Sequence, residues 1–371
     1  MIFKNCTFFN DCFEKDFADI EIEDGVIKQI GSLNGVGKDM RGLTLIPGFV
    51  DVHIHGCAGG DASDASSDSL EKITRELARH GVTSFCPTTM TLGTNQLVKA
   101  VKEIKNFKSS GAKIAGINLE GPFIAMSKKG AQNPAYVRAG SVEEFDEINE
   151  ASGNLVRLIT IAPEAFDSED FIKHVSSKCT VSIGHSAADS KECKRSIDNG
   201  IRHATHLFNA MTPMTHREAG IAGTVLDDER VMCELICDGG HICPAVIRNA
   251  FDMLGQDRAV VVSDSMRGAG LGEGEFELGG QQVFVKPNGK YAVLEDGTIA
   301  ASITNIHQEF KNLIDFGIDI KTALKACTIN PARAIKEDEH IGSIKVGKRA
   351  DLVFLDEKLD IKEVYIDGIL A

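Results

Sequence analysis

The chain has 371 residues, of which 43% are hydrophobic and 25% are charged, a composition typical of a globular protein with one large or two smaller domains. Its formal net charge of −14 at pH 7 argues against general binding to nucleic acid or to an anionic membrane surface. Since Met1 is followed by neither a charged-then-apolar leader nor a bilayer-length apolar run, we expect a cytoplasmic protein.

Ten cysteines are scattered along the chain without a CxxC pair. Disulfide frameworks are typical of short secreted chains, so we expect free thiols in a reducing compartment. Cys57 lies just after a histidine pair, but we do not expect it to be a metal ligand.

The two ends of the chain share a β-rich pattern. Residues 1–46 contain short apolar segments, with Asp24-Gly25 as a hairpin turn between two of them. Residues 341–371 have the same pattern, with glycine turns. Because unpaired strand edges promote aggregation, we expect the two ends to pair with each other. They would form a small domain beside a main domain of residues 47–340.

The segment between these ends alternates apolar strands with amphipathic helices. Eight strands are predicted, at residues 44–53, 82–87, 114–120, 158–163, 180–185, 203–207, 231–237 and 259–264. Helical periodicity occurs between most of them, including residues 70–80, 96–107 and 187–199. This alternation predicts an α/β fold, a (β/α)8 TIM-like barrel. A β-hairpin insertion is predicted over residues 272–298, with a turn at Pro287-Asn288-Gly289.

The first predicted barrel strand ends in two histidines, His53 and His55. Side chains two residues apart on a strand point to the same side, so the two imidazoles could bind one cation. By the same rule His203, three residues from His206, would face the opposite side of its strand.

Polar side chains recur at the ends of the other predicted strands. In a barrel, the carboxyl ends of the strands open on one face, where catalytic groups gather. A single polar residue there is usually only a cap, but six ends carry one in this sequence. These residues are His53 and His55, Glu120, His185, His206, His241 and Asp264.

Nitrogen and oxygen donors of this kind suit divalent metals. Glu120, His185 and His206 could supply three ligands and leave a position open for water. His53 and His55 could hold a second ion, with Glu120 as the bridging ligand. Zinc, iron, manganese and cobalt all fit such a set, so the sequence predicts one or two divalent ions without naming the metal.

Three further residues are candidates for proton transfer or substrate contact. Asp264, on the last strand, is suited to accept a proton and return it to a leaving group; the alternative is a helix N-cap. His241 follows two glycines and could hydrogen-bond a substrate carbonyl, or be an ordinary loop histidine. Arg217, in the loop after strand six, suits a phosphate or carboxylate, or pairs with Glu218 at the surface.

These motifs resemble those of the amidohydrolase superfamily, and within it the deacetylases of N-acetylated sugar phosphates. The resemblance covers nearly the whole chain in order. The matching segments are Pro47–Gly56, Leu119–Phe123, Lys129-Gly130, Asn133-Pro134, Gly184–Ser186, Thr205–Met211, Arg217-Glu218, Asp238–His241, Ser263-Asp264 and Asn330–Arg333.

The resemblance implies roles for individual residues. Glu120, His185 and His206 would bind the main catalytic metal, and Asp264 would be the general acid and base. His241 would contact the acetyl carbonyl or the sugar.

The resemblance also implies a substrate and an assembly. Asn209, the backbone of Ala210 and Arg217 would hold the 6-phosphate of N-acetylglucosamine 6-phosphate, which would be hydrolysed to glucosamine 6-phosphate and acetate. The protein would be a homodimer, and its chain ends would form a small β-sandwich. The loop near residues 129–138 often reaches a neighbouring site, and Gln132 stands where some members have histidine.

Other functions remain open from the sequence. Deacetylation of the galactosamine epimer, or another cyclic amidohydrolase reaction, would use the same metal ligands. Arg217 with Asn209 favours a phosphorylated sugar over a pyrimidine ring. A non-catalytic assembly protein on the same fold is the alternative of another class, and the complete set of candidate ligands weighs against it.

Overall fold

The computed structural model describes all 371 residues. Its centre is a nearly closed barrel of eight parallel strands, arranged in chain order. Numbered one to eight, these strands are Phe49–Ile54, Val82–Thr89, Ile117–Glu120, Val156–Ile161, Thr180–Ile183, His203-Ala204, Met232–Leu235 and Ala259–Val261. The predicted α/β barrel is therefore confirmed.

Helices connect the barrel strands on the outside. The α-helices are Ser67–Arg79, Thr94–Asn106, Val142–Ala151, Glu169–Ser176, Ser190–Asn199, Gly220–Asp227, Pro244–Arg258, Ile306–Asp315, Ile320–Cys327 and Ile329–Ala334. The first begins where the Ser66 side chain accepts a hydrogen bond from the Ser69 N–H, and it buries Leu70, Ile73 and Leu77 at helical spacing. None of the helices combines the length and apolar character needed to cross a membrane.

Strands one and eight meet at their carboxyl ends. The Asp264 N–H donates to the His53 carbonyl oxygen at 2.9 Å, and the Ser263 hydroxyl donates to the buried Asp51 carboxyl at 2.5 Å. Burial raises the pKa of Asp51 to about 7. These contacts bring Asp264, late in the chain, beside the histidine pair that follows strand one.

Apolar side chains fill the barrel interior. A buried cluster of 11 residues includes Val50, Leu158, Ile236 and Val260, which come from strands or strand ends on different sides of the barrel. The helix Ile329–Ala334 adds further apolar side chains. Because this interior is packed, the polar groups at the strand ends are held on a rigid base.

The two chain ends form one eight-stranded sheet. Its strands are Ile2–Phe9, Lys15–Glu23, Val26–Gly31, Lys38-Asp39, Thr44–Pro47, Leu352–Leu355, Ile361–Ile366 and Ile369-Leu370. Thr44–Pro47 pairs antiparallel with Leu352–Leu355, so the expected pairing of the two ends is confirmed. Asp24 and Gly25 form the predicted turn, with φ of 51° and 79°. The assignment of these segments to a separate β-sandwich domain stays a prediction.

The prediction of one strand over residues 44–53 is wrong. Thr44–Pro47 belongs to the terminal sheet, and the first barrel strand begins only at Phe49. At Gly48 a Cβ atom would lie 2.1 Å from Thr83 Oγ1, so only glycine lets the chain pass strand two so closely. An unbroken apolar run therefore hides a transfer from one sheet to another.

The predicted hairpin over residues 272–298 is larger than expected. It is a four-stranded antiparallel sheet of Gly274–Leu278, Gln281–Val285, Tyr291–Val293 and Ile299–Ser302. The turn at residues 287–289 joins its second and third strands, as predicted. Gly279 and Gly280, with φ of 56° and 81°, make a further turn.

Three short strands lie elsewhere in the chain. Gly56-Cys57 and Gly60-Asp61 form a separate two-stranded sheet, and Lys113-Ile114 pairs beside strand two.

Candidate metal centre

The carboxyl ends of the barrel strands bring the predicted metal ligands together. Two groups of three residues each place their ligand atoms within 4.8 Å of one another. One group is His53, His55 and Asp264, and the other is Glu120, His185 and His206. All six residues are buried, so a bound ion would be largely shielded from solvent.

Glu120, at the end of strand three, lies between the two groups. Its Oε1 is 3.0 Å from His185 Nε2 and 3.1 Å from His206 Nε2. Its Oε2 is 3.2 Å from His55 Nε2. One carboxylate therefore faces both groups, an arrangement that suits a ligand shared between two ions.

Asp264 contacts both histidines of the pair and also lines the cavity above the cluster. Its Oδ1 is 3.3 Å from His55 Nε2 and 3.5 Å from His53 Nε2. Burial alone would raise the pKa of Asp264, but positive charge on the two rings holds it below its usual value. An ionised carboxylate at this position can accept a proton or help to hold a cation.

Three residues of the cluster adopt left-handed backbone conformations. The φ angles of His185, His206 and Asp264 are 46°, 30° and 45°. Such values are uncommon outside glycine, cost on the order of 1–3 kcal/mol each and concentrate at functional sites. These backbone conformations turn the chain sharply just after each strand ends.

His53 shows that the cluster suits a cation. Its Nε2 is buried without a hydrogen-bond partner in the chain, and the nearest carboxylate oxygens, on Glu120 and Asp264, are both 3.5 Å away. Burial opposes a charge on this ring, yet the surrounding carboxylates, Glu234 foremost, raise the pKa of His53 to about 9. A divalent ion among these donors would satisfy the free nitrogen and the negative charge together.

Glu234 supports the cluster from within the barrel, and the sequence analysis missed it. Its carboxylate is 2.8 Å from His53 Nδ1 and 3.1 Å from His203 Nε2, and it accepts the backbone N–H of His206 at 3.1 Å. A carboxylate on Nδ1 fixes the tautomer that leaves Nε2 free for a metal. The available signal was a lone acid in the apolar run 231–237.

His203 is linked to the cluster through Glu234. It is buried, and its Nε2 contacts Glu234 Oε1; that it faces the opposite side of its strand from His206 stays a prediction. Strand six spans only His203-Ala204, so the alternation rule for an extended strand does not reach His206.

We expect Glu234→Gln to lower the affinity for metal by about 10- to 100-fold, because partners of this kind contribute that much to metal binding. Competition with a chromogenic chelator measures this directly. Glu229→Gln, on the exposed segment before strand seven, is the matched control and should bind metal like the wild type. An unchanged affinity in Glu234→Gln would contradict the role assigned to Glu234.

Gln132 ties the loop after strand three to the cluster. Its amide nitrogen donates to Glu120 Oε2, and its amide oxygen accepts the Thr91 N–H at 2.7 Å. The side chain is buried. Gln132 therefore orients the Glu120 carboxylate of its own chain. The reach of this loop to a neighbouring site, which the resemblance implies, stays a prediction.

A cavity of about 400 Å³ opens on the cluster. Its walls come from the loops after strands three, six and seven and from the four-stranded insertion. Besides the metal ligands they include Lys128, Gln132, Asn209, Ala210, His241 and Ile299. This volume falls within the range of small-molecule sites.

His241 is held firmly in the cavity wall. Its Nδ1 is 2.7 Å from Asp238 Oδ2, and its backbone N–H donates to Asp238 Oδ1 at 2.8 Å. Tyr291 of the insertion packs edge-on against the ring, with centroids 5.5 Å apart. The Nε2 atom is left for another contact.

The three predicted phosphate contacts are not all at the cavity. Asn209 and Ala210 line it, and the Ala210 N–H has no partner within the chain. Arg217 is exposed on the loop 212–219 and does not line the cavity, so its role stays a prediction. Lys128 is the cation in the wall, with Nζ donating to the Met211 carbonyl oxygen at 3.1 Å.

Comparison with known proteins agrees with this geometry. The family model described as "Amidohydrolase family" matches residues 44–370. The chain belongs to the amidohydrolase family. Related amidohydrolases include the N-acetylglucosamine-6-phosphate deacetylase of Bacillus subtilis (strain 168), 36% identical over 335 residues, which are 88% of this chain and 84% of the relative.

Two further amidohydrolases are informative. The N-acetylgalactosamine-6-phosphate deacetylase of Escherichia coli O157:H7 is 32% identical over 361 residues, 96% of this chain and 95% of the relative. A solved structure of the N-acetyl-D-glucosamine-6-phosphate deacetylase of Mycobacterium smegmatis, a mutant in complex with N-acetyl-D-glucosamine-6-phosphate, superposes with a TM-score of 0.92. That match has 29% identity and covers 100% of this chain and 98% of the other.

Proposed function

We propose that this amidohydrolase hydrolyses the N-acetyl group of N-acetylglucosamine 6-phosphate, giving glucosamine 6-phosphate and acetate. The observation that carries the proposal is the buried cluster of four histidines and two carboxylates, of which all but His53 line one cavity. The relatives that bear this activity in their names support the choice of substrate.

The cluster would hold one or two divalent metal ions. His185, His206 and Glu120 would bind the first, and His53 and His55 would bind a second that shares Glu120. A bound divalent metal supplies Lewis-acid polarisation of the amide carbonyl and lowers the pKa of a water molecule.

Asp264 would transfer the proton. As an ionised carboxylate in the cluster, it accepts a proton from the attacking water, and the water oxygen forms a bond to the carbonyl carbon. The same proton then passes to the nitrogen as the C–N bond breaks, so that an amine leaves. His241, oriented by Asp238 at Nδ1, would place its Nε2 against the carbonyl oxygen, where negative charge develops.

The phosphate would lie at the other end of the cavity. The free N–H of Ala210, the Asn209 amide and the Lys128 ammonium are its proposed contacts, since each can donate to an anionic oxygen. Arg217 is retained as a proposed contact from the resemblance. We further propose a cytoplasmic homodimer, with a β-sandwich of residues 1–46 and 341–371 and a barrel domain of residues 47–340.

The galactosamine epimer is a second candidate substrate. The Escherichia coli relative named for that epimer covers nearly the full length of both chains, which favours keeping this candidate. The two sugars differ at one hydroxyl group, so the cavity walls would select between them and the metal ligands would not.

Acetate release tests the proposal. Purified protein is incubated separately with N-acetylglucosamine 6-phosphate, its galactosamine epimer and unphosphorylated N-acetylglucosamine, and kcat/KM is compared. We expect the first to be the best substrate and the unphosphorylated sugar the poorest. Preference for the epimer would change the substrate but keep the mechanism, and no turnover of either phosphate would contradict the proposal.

Gln132→Ala should lower kcat about tenfold, because Glu120 loses the donor that orients it. Effects of this size are typical of residues that hydrogen-bond to a metal ligand without binding the metal. Steady-state acetate release, with metal content measured on the same sample, checks this. Met126→Ala, an exposed change in the same loop, is the control. Unchanged kcat in Gln132→Ala would show that Glu120 needs no such support.

A further inference from the structure

A second cavity lies at the opposite end of the barrel from the metal cluster. Its volume is about 190 Å³, and it adjoins the first residues of strands five, six and seven. Four cationic side chains line it, those of Arg202, Arg230, Arg333 and Lys336. No aspartate or glutamate is in its walls, although the chain has 54 acidic residues and 40 basic ones.

Two of these cations have no carboxylate partner. Arg202 Nη1 donates to the carbonyl oxygens of Ile197 and Ile201 at 2.6 and 2.7 Å, which leaves its other N–H groups and its charge uncompensated. The exposed Lys336 side chain forms neither an ion pair nor a hydrogen bond within the chain. Like charges brought together without carboxylate partners favour binding of an anion between them.

The other two cations are paired outside the cavity. Arg230 contacts Asp228 at 2.7 Å, and Arg333 contacts Asp257 at 3.0 Å. Neither carboxylate lines the cavity. These ion pairs hold the two guanidinium groups in place. The unpaired positive charges of Arg202 and Lys336 then give the cavity its positive potential.

His203 supplies an independent observation. It is completely buried and lines the same cavity, and its Nδ1 has no hydrogen-bond partner within the chain. Its Nε2 lies 3.1 Å from Glu234 Oε1, and a carboxylate there requires the proton on Nε2. With that proton on Nε2, Nδ1 presents a lone pair, so a matching ligand carries a hydroxyl hydrogen beside its negative charge.

We propose that this cavity binds the hydrogen phosphate anion. Its charged oxygens accept hydrogen bonds from Arg202 and Lys336, and its P–OH group donates to His203 Nδ1. Sulfate has the same shape and charge but no hydrogen to donate near neutral pH. The site is separate from the catalytic cavity, and the proposal does not depend on which sugar is deacetylated.

Calorimetric titration of the full-length, metal-loaded protein with inorganic phosphate, at constant ionic strength, tests the proposal. The wild type should bind phosphate at least about tenfold more tightly than sulfate, because sulfate leaves the His203 acceptor unpaired. The double variant Arg202→Gln/Lys336→Gln should lose this phosphate site or bind at least about tenfold more weakly. Lys99→Gln removes a positive charge from an exposed helix position outside the cavity and should bind like the wild type.

Phosphate at the metal cluster would persist in the double variant, so it is distinguishable from phosphate at the second cavity. Equal phosphate binding by the wild type and the double variant would overturn the proposal, and so would equal binding of sulfate and phosphate by the wild type. Lys336→Gln alone changes a side chain that forms no hydrogen bond or ion pair in the chain, and it should weaken phosphate binding about threefold. That variant provides the test if the double variant does not fold.

Discussion

Asp264→Asn is expected to lower kcat for acetate release from N-acetylglucosamine 6-phosphate by about 10²- to 10⁴-fold, the usual contribution of a positioned general base. The amide keeps the shape of the side chain and one oxygen near His53 and His55, but it cannot take up a proton. Metal should be retained, because the group formed by Glu120, His185 and His206 is untouched.

Two measurements make this result specific. Metal analysis of the variant separates a loss of proton transfer from a loss of the ion, and Asp227→Asn, on an exposed helix end, controls for the change of charge. Near-normal turnover with metal bound would remove Asp264 from the role of general base.

Glu120→Ala is expected to have an effect at least as large, through the metal. The Glu120 carboxylate contacts His185, His206 and His55 at 3.0–3.2 Å. Because it lies between the two groups of ligands, its negative charge can offset the charge of an ion in either group. Without it, bound metal should fall below one ion per chain, and acetate release should fall by about 10³-fold or more, since the polarising ion is lost.

Metal content by atomic spectroscopy and turnover on the same preparation check this expectation. Glu150→Ala, at an exposed helix position, is the control for a change of charge away from the site. Wild-type metal stoichiometry in Glu120→Ala would contradict the assignment of Glu120 as a shared ligand.

The sequence was sufficient for the cluster because of a simple geometric rule. The carboxyl ends of all barrel strands open on one face, so polar residues far apart in the chain, such as His55 and Asp264, could be placed together without knowing any distance. The same rule does not say which residues touch. The contact of Asp264 with the histidine pair appears only because strands one and eight join at the barrel seam.

Residues behind the cluster were harder to find from the sequence. Glu234 lies inside an apolar strand, where its partners His53 and His203 are distant in the chain and invisible to any local pattern. The transfer at Gly48 was missed because apolar periodicity continues across it, and only the close approach of Thr83 reveals the break. Loop residues such as Arg217 are set by loop conformation, which short-range patterns do not determine.

The most direct test of the account is acetate release from N-acetylglucosamine 6-phosphate before and after removal of bound metal. Chelation followed by desalting should abolish turnover, and stoichiometric addition of zinc, manganese, cobalt or iron(II) should restore it with at least one of these ions. The same cycle with Glu120→Ala should restore nothing. Full turnover by protein whose metal content has been shown to be zero would contradict the assignment of this cluster as a catalytic metal centre.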